Sequence, residues 1–306
     1  MRTKTNIMKE FLSLSPEVTA ALADNKPILA LESTVITHGL PYPTNLEVAL
    51  QLEQRAKDEG AVPATIAILN GKCKIGLTAD EMTQLADGKA SKASCRDLAY
   101  MVSKTLSAGT TVALTAMLAH HAGISVFATG GIGGVHYGDS LDISADLYEI
   151  SQTPIAIISA GPKAILDTAR TLEVLETYSV PVIAYQTNCI PAFYSRHSAH
   201  KAPLTADTLA ELTACIKTHR DLALPSGILV MNPIPVQDEI PASSIEPSIQ
   251  TALAKAEALN IKGKEITPFL LAELTTLTKG KSLQANIALL NNNVTLGAKL
   301  ARSLIT

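Results

Sequence analysis

The stretch Thr129–Asp167 decides how this chain is read: T-G-G-I-G-G-V-H over 129–136, Y-G-D-S-L-D-I-S-A-D-L over 137–147 and I-A-I-I-S-A-G-P-K-A-I-L-D over 155–167. The apolar run 124–128 leads into it, and Ile155–Ser159 is a second such run. Runs this short and this apolar read as strands buried on both faces. Between them lie a glycine loop, His136 and a helix with Asp146 in its first turn. Pro162 suits the first position of a further helix, reaching Tyr178. Strand, loop, helix and strand in this order build a parallel sheet.

The same alternation continues on both sides. Ser15-Pro16 is a cap followed by proline, predicting a short helix to about Asp24. Pro27–Leu31 is a strand that delivers Glu32-Ser33-Thr34 at its end. The loop T-H-G-L-P-Y-P that follows is expected to be irregular, because two prolines bracket Tyr42. Thr44 and Glu47 have capping-box spacing for a helix running to Gly60. Asn70-Gly71 between the run Ala64–Leu69 and K-C-K-I-G-L predicts a hairpin. Thr78 and Glu81 repeat the capping-box spacing. A helix of small residues is expected within 109–122, strands at Pro181–Tyr185 and Gly227–Met231, and a helix over Thr205–Asp221. Helices near Ile245–Leu259, Thr267–Lys279 and Ser282–Leu304 complete the pattern. The expected fold class is α/β: a largely parallel central sheet flanked by helices on both faces, in one large domain over 1–306.

The composition fits a packed enzyme. Of 306 residues, 47% are hydrophobic and 17% charged, which a disordered chain would not show. The formal net charge of −3, four Phe, seven Tyr and no Trp offer nothing to nucleic acid. No apolar run approaches membrane-span length, and the charged start has no run of signal length. Cys73, Cys95, Cys189 and Cys215 are scattered without a C-x-x-C pair, so a reduced cytoplasmic location is expected. In that setting the sequon at Asn293 carries no glycan.

Several nucleotide motifs are excluded. From Gly131 and Gly133, the third glycine of G-x-G-x-x-G would be residue 136, which is His136. Gly280-Lys281-Ser282 ends like a P-loop, but Thr275 stands where its first glycine belongs. Gly138-Asp139-Ser140-Leu141 matches a serine-hydrolase tetrapeptide, at the wrong place in the chain and without a His-containing partner block. Gly130, Gly131, Gly133 and Gly134 fit either a tight turn or a ligand loop. In the second reading, positive φ and successive backbone N–H groups would cradle an anion. Asp142 and Asp146 can hold a hard divalent cation, Mn²⁺ or Mg²⁺, or Asp146 can simply favour a helix start. Lys163, placed in the first turn of a helix, would feel a dipole that disfavours its ammonium form, as a nucleophilic amine needs. It can equally be a solvated lysine. Glu32 at a strand end can be a buried general acid or a carboxylate binding loop amides.

Ten blocks in order carry a resemblance. They are A-L-E-S-T-V-I-T-H-G-L-P-Y-P (30–43), P-A-T-I-A-I-L-N-G (63–71), K-A-S-C-R-D-L (92–98), T-T-V-A (110–113), A-T-G-G-I-G-G-V-H (128–136), D-I-S-A-D-L (142–147) and S-A-G-P-K-A-I-L-D (159–167), then T-L-E-V-L-E-T-Y-S-V-P-V, G-I-L-V-M-N-P-I-P and A-N-I-A-L-L. From about residue 15 to the C-terminus, the chain resembles the pseudouridine-5′-phosphate glycosidase family. The resemblance implies reversible cleavage of the C–C glycosidic bond of pseudouridine 5′-phosphate to uracil and ribose 5-phosphate. It implies a homotrimer using Mn²⁺ or a similar cation. By position it implies Lys163 as nucleophile, Glu32 as proton donor and Asp142 as metal ligand. Lys92, Val112, Ser144, Ala145 and Asp146 become substrate contacts, and Thr129, His136 and Asn286 further site positions. Two departures stand out: A-S-C-R-D-L replaces the usual V-S-R-R-D-L, and Pro162 replaces a small residue.

An ordinary glycosidase protonates a leaving oxygen. A base leaving through carbon needs another route: the ribose ring opens with Glu32 as acid, Lys163 adds at the anomeric carbon, and an imine is left for water to hydrolyse. Two rival functions share the layout. A sugar or nucleoside kinase would need an ATP motif, which is absent from the sequence. A silent sugar-phosphate sensor would be expected to lose Lys163 or Glu32, and both are present.

Overall fold

The structure, a computed structural model, describes residues 8, 10–138, 141–261 and 263–305. Asp139 and Ser140 of the hydrolase-like tetrapeptide lie outside the described residues. The strands are β1 (Leu12–Leu14), β2 (Ile28–Glu32), β3 (Val62–Leu69), β4 (Lys72–Ile75), β5 (Ser91–Ala93), β6 (Ala108–Thr110), β7 (Val126–Ala128), β8 (Ala156–Ser159), β9 (Val182–Tyr185), β10 (Leu204–Ala206) and β11 (Ile228–Met231). The helices are α1 (Pro16–Ala23), α2 (Thr44–Asp58), α3 (Ala79–Ala86), α4 (Leu98–Ser103), α5 (Val112–His121), α6 (Ala145–Ile150), α7 (Thr168–Thr177), α8 (Leu209–Asp221), α9 (Ala242–Ala258), α10 (Ile266–Leu277) and α11 (Lys281–Ile305).

The strands form one sheet in the order β1-β4-β3-β2-β7-β8-β11-β9-β10, with β6 joining β3 and β5 beside this path. All pairs are parallel except β3 with β4 and β3 with β6. Strand alternation sends Leu29 and Leu31 to one face, under α2, α8, α9 and α11, and Ile28 and Ala30 to the other. Both faces are therefore packed, which is why the central strands β2, β7, β8 and β11 are apolar up to their carboxyl ends. The chain steps from β2 to β3 on one side and returns to β2's other side with β7. Ligands bind at such reversals, beyond the strands' carboxyl ends.

Three local expectations need correction. Thr44 lies inside α2, whose N-cap residue is Pro43 and has no side-chain cap; the capping box there does not form. Asn45 is buried instead and donates to Ile36 O and Ala86 O, tying the helix start to its surroundings. Thr205 belongs to strand β10, and α8 starts later, with Thr208 accepting from Glu211 N. Pro162 does not open a helix: α7 begins at Thr168, capped by Asp167, whose side chain accepts from Arg170 N. Proline's fixed φ suits a loop as well as a helix start, so the cap that wins is the aspartate. The loop after β2 also contains one π-helical turn, Val35–Gly39.

The Asn70-Gly71 hairpin and the Thr78–Glu81 capping box form as the sequence predicts. Asn70 and Gly71 both take positive φ, 48° and 75°, as a tight hairpin turn demands.

Candidate active site

Two adjoining cavities open beyond the carboxyl ends of β2, β7 and β8. Glu32, Thr34, Lys92, Lys163 and Thr267 line both. The first is walled by Val35, Phe193, Leu271 and Leu290, with His38, Thr129 and Asn286 among its polar groups. The second carries Ser94, Arg96, His136, Asp142 and Ser144. Val112, Ala145 and Asp146 also border it. Every residue to which the resemblance gave a catalytic, metal or substrate role thus lines this one cleft, from segments as far apart as Glu32 and Asn286.

The E-S-T segment shows why the strand end is held so firmly. Ser33 Oγ donates to Ile66 O at 2.5 Å, accepts from Thr110 N at 2.9 Å and lies 3.2 Å from Thr110 Oγ1. Thr34 Oγ1 donates to Thr110 O at 2.7 Å. These buried hydroxyls tie the end of β2 to β6. β6 in turn pairs with β5 and sets Lys92 opposite Gly109. Acid and cation are therefore fixed by one hydrogen-bond network.

Glu32 is buried, and the Thr129 hydroxyl donates to its Oε2. Burial raises its pKa against the lowering effects of Lys163, the Thr129 hydrogen bond and Lys92. A carboxyl in this setting favours its protonated form. Thr129 is anchored from behind: Asn293 Nδ2 donates to Thr129 O at 2.8 Å and to Gly130 O at 3.3 Å, while its Oδ1 accepts from Asn232 at 3.0 Å. The sequon residue Asn293 is a wholly buried support for the loop. No local spacing could have revealed it.

Lys163 stands in the loop after β8, with its N–H on Ile132 O at 3.1 Å. Since α7 starts five residues later, no helix dipole acts on it as the sequence reading supposes. Its electrostatic partner is Glu32, whose pKa it lowers more than any other neighbour does. His136 is half-buried; desolvation lowers its pKa, Asp142 opposes this, and Lys163 and Lys92 add to it.

The glycine loop does not work by positive φ, which none of its four glycines adopts. It works by space. A Cβ on Gly133 would strike Ser144 Oγ and come within 2.7 Å of Asp146 Oδ2; one on Gly131 would meet Phe193 Cε2 at 2.5 Å. Nor is its backbone a free anion cradle, because Gly133 N donates to Asp146 Oδ2 at 2.8 Å. Asp146 is buried and its Oδ1 accepts from Ala113 N at 2.9 Å. Both of its oxygens hold backbone amides, so it clamps the loop to the start of α5. Asp142, by contrast, is an exposed loop carboxylate at the cleft mouth. Among the described residues no cluster of three or more His, Cys, Asp or Glu could hold a metal. One carboxylate with water and a substrate phosphate suits Mg²⁺ or Mn²⁺ binding, which needs no all-protein cage.

The two sequence departures fall differently. Cys95 is turned from the cleft, its thiol donating to Glu149 Oε2 at 3.5 Å. Arg96 points into the cleft mouth with its side chain 76% exposed. Pro162 forms a bridge with Ile132, pinning the Lys163 loop to the glycine loop.

A lysine-bearing loop and a buried carboxyl at strand ends of a doubly covered parallel sheet define an α/β enzyme cleft. Residues 17–303 match the family described as Indigoidine synthase A like protein. A Pseudouridine-5′-phosphate glycosidase of Paracoccus denitrificans is 51% identical over 304 residues, 98% of this chain and 100% of that one. A protein of the same name from Roseobacter denitrificans is 52% identical over 294 residues, 95% of each chain. Among solved structures, an indigoidine synthase A-like protein from Thermotoga maritima superposes with a TM-score of 0.89 at 34% identity. The prealnumycin C-glycosynthase AlnA, in complex with ribulose 5-phosphate, gives 0.89 at 35%. Both alignments cover 97% of each chain. The chain belongs to the pseudouridine-5′-phosphate glycosidase family.

Proposed function

We propose that this protein reversibly cleaves the C–C glycosidic bond of pseudouridine 5′-phosphate, giving uracil and ribose 5-phosphate, with Glu32 as acid and Lys163 as nucleophile. The observation that carries the reading is the seam between the two cavities: a buried, proton-favouring carboxyl and a lysine line both, where an apolar chamber meets a polar one. The apolar walls suit a flat base. The mouth, with Lys92 and Arg96, suits a phosphate. The curated relatives' name and the sugar phosphate bound by AlnA support the same substrate class.

Thr129 occupies Oε2 of Glu32, so Oε1 carries the proton to the ring oxygen as the C1′–O4′ bond opens. Neutral Lys163 then adds at C1′. The added nitrogen gives up one proton, its freed lone pair forms C1′=N as the C1′–C5 bond breaks, and C5 takes up that proton as uracil leaves. Water hydrolyses the imine, regenerating Lys163 and releasing ribose 5-phosphate. Val112, buried at the first position of α5, can offer only backbone to the substrate; Ser144 and Ala145 bring the start of α6 to it. Asn286 lines the apolar end proposed for the base, and His136 lies within electrostatic reach of Asp142, Lys163 and Lys92. A divalent cation, Mn²⁺ by family resemblance, would be held at Asp142 and would supply positive charge for the phosphate. The same resemblance carries a homotrimer working in the cytoplasm.

The test is chromatography of uracil and ribose 5-phosphate incubated with the protein and Mn²⁺, beside Lys163→Ala. Pseudouridine 5′-phosphate formed by the unmodified protein alone is the expected result. No product from folded, metal-supplied protein overturns the reading.

A further inference from the structure

We propose that His38 recognises the C-linked base: its Nε2 accepts the N1–H and takes that proton as the sugar ring opens. This rests on the glycosidase reading above and gives a residue to the half of the reaction that Glu32 and Lys163 leave open.

His38 sits in the π-helical turn Val35–Gly39, directly after the strand end that carries Glu32. The turn is locked. Thr37 lies so close to β6 that a Cβ on Gly109 would strike its hydroxyl and come 3.0 Å from Ser33 O. Thr37 Oγ1 donates to Ser33 O at 3.4 Å and lies 2.7 Å from His38 Nδ1. A hydroxyl has one proton. Both contacts are hydrogen bonds only if that proton points to Ser33 O and Nδ1–H donates to Thr37. The imidazole is then the Nδ1–H tautomer, and Nε2 is an acceptor. Among the described residues nothing bonds Nε2.

The ring lines the apolar cavity shared with Glu32, Lys163 and Asn286. Burial and the Lys92 charge keep it neutral against the opposing pull of Glu265. A neutral acceptor facing a chamber walled by Val35, Phe193, Leu271 and Leu290 is what a ring N–H requires.

The chemistry selects which N–H. A base joined through C5 keeps a proton on N1, which an N1-linked base lacks. N1 is conjugated through C6=C5 to the glycosidic carbon. When the N1–H bond breaks, its proton goes to His38 Nε2 and its electron pair becomes N1=C6. The C6=C5 pair becomes C5=C1′. The C1′–O4′ pair leaves with O4′, which takes the proton from Glu32. His38 ends as imidazolium, Glu32 as carboxylate, and C1′ is an electrophile for Lys163. No external oxidant or co-reactant is involved.

The experiment measures kcat/KM on pseudouridine 5′-phosphate and on its N1-methyl and N3-methyl derivatives, for the unmodified protein, His38→Ala and His38→Gln. His38→Ala should lose about 10²- to 10⁴-fold on the parent substrate, the range of a general base. His38→Gln, whose amide can accept but not take the proton, should keep KM within about threefold while kcat falls by a similar factor to the alanine variant. N1-methylation should cost the unmodified protein about 100-fold or more and His38→Ala about threefold or less. N3-methylation should cost both the same factor. Equal N1-methyl penalties in the two proteins, or His38→Ala within about threefold of the unmodified protein, overturn the assignment and leave the glycosidase reading standing. Failure of the folded, unmodified protein to turn over the parent substrate overturns both.

Discussion

Two glutamates in this protein are pushed toward their protonated form by burial, and only one lies where chemistry can happen. Glu32 ends β2 at the floor of the cleft, with Lys163 as its main charged neighbour and the Thr129 hydroxyl on one oxygen. Glu53, on α2, is half-buried between that helix and β3; Thr65 Oγ1 donates to its Oε1 at 2.6 Å. Burial raises Glu53 to about 7, against the Thr65 bond and Lys57, with Glu17 adding to the rise. The physical cause is the same in both. The surroundings differ: one carboxyl opens on a cavity beside an amine, the other on a packed helix–strand seam. A perturbed carboxyl marks a candidate site only together with a cavity and a chemical partner.

The largest effects should separate the two regions. Lys163→Ala is expected to reduce turnover by at least about 10³-fold, and borohydride should trap a sugar-phosphate adduct on the unmodified protein only. Glu32→Gln should cost about 10²- to 10⁴-fold in kcat. An acid in the proposed role works while protonated, so the rate of the unmodified protein should fall as pH rises through the raised Glu32 pKa; that limb should be missing from Glu32→Gln. Glu53→Gln should leave kcat/KM within about twofold. If it instead reduced activity as Glu32→Gln does, the contrast between the two sites would be wrong.

Stability should invert that ranking. Glu53 has a folded pKa of about 7 against an ordinary 4.5. Its contribution is fully present below pH 4.5 and is lost as pH rises through 7. Denaturant melts of the unmodified protein should therefore lose up to about 3 kcal/mol over that window on this group's account. Glu53→Gln should remove that part of the slope. An unchanged pH slope would mean that water reaches the carboxylate when it ionises.

What the sequence could not reveal follows the same division between local and distant causes. The Asn70-Gly71 hairpin and the Thr78–Glu81 box are legible because each is settled by neighbours within four residues. The parallel, doubly covered sheet is legible because its central strands, β2, β7, β8 and β11, are short and apolar up to their carboxyl ends. Pro162 misleads because proline's geometry serves both a helix start and a loop, and the competing cap at Asp167 is stronger. The glycine loop misleads because glycine answers two needs, unusual φ and missing volume, and only the packing of Ser144, Asp146 and Phe193 tells which. Asn293 is invisible to any spacing argument, since it supports Thr129 from 164 residues away. His38 lies in plain view within T-H-G, but its acceptor nitrogen follows only from the bond that Thr37 makes to Ser33.

The smallest predicted effect concerns the mouth, where charge is exposed. Arg96 is 76% exposed, and its Nε is 3.8 Å from Asp97 Oδ1, too long for a strong pair. It is thus available to a phosphate entering beside Lys92 and Ser94. Cys95 does not compensate, because its thiol faces Glu149. A charge-assisted bond at such a site contributes about 1.5 kcal/mol, so Arg96→Ala should raise KM about tenfold. An interaction with the remote phosphate is made equally in the ground and transition states, so kcat should stay within about twofold. The KM of the unmodified protein should climb with ionic strength, and that of Arg96→Ala less steeply. A fall in kcat at constant KM would move Arg96 from phosphate capture to the reacting centre and erase the distinction between a buried cleft floor and an exposed mouth.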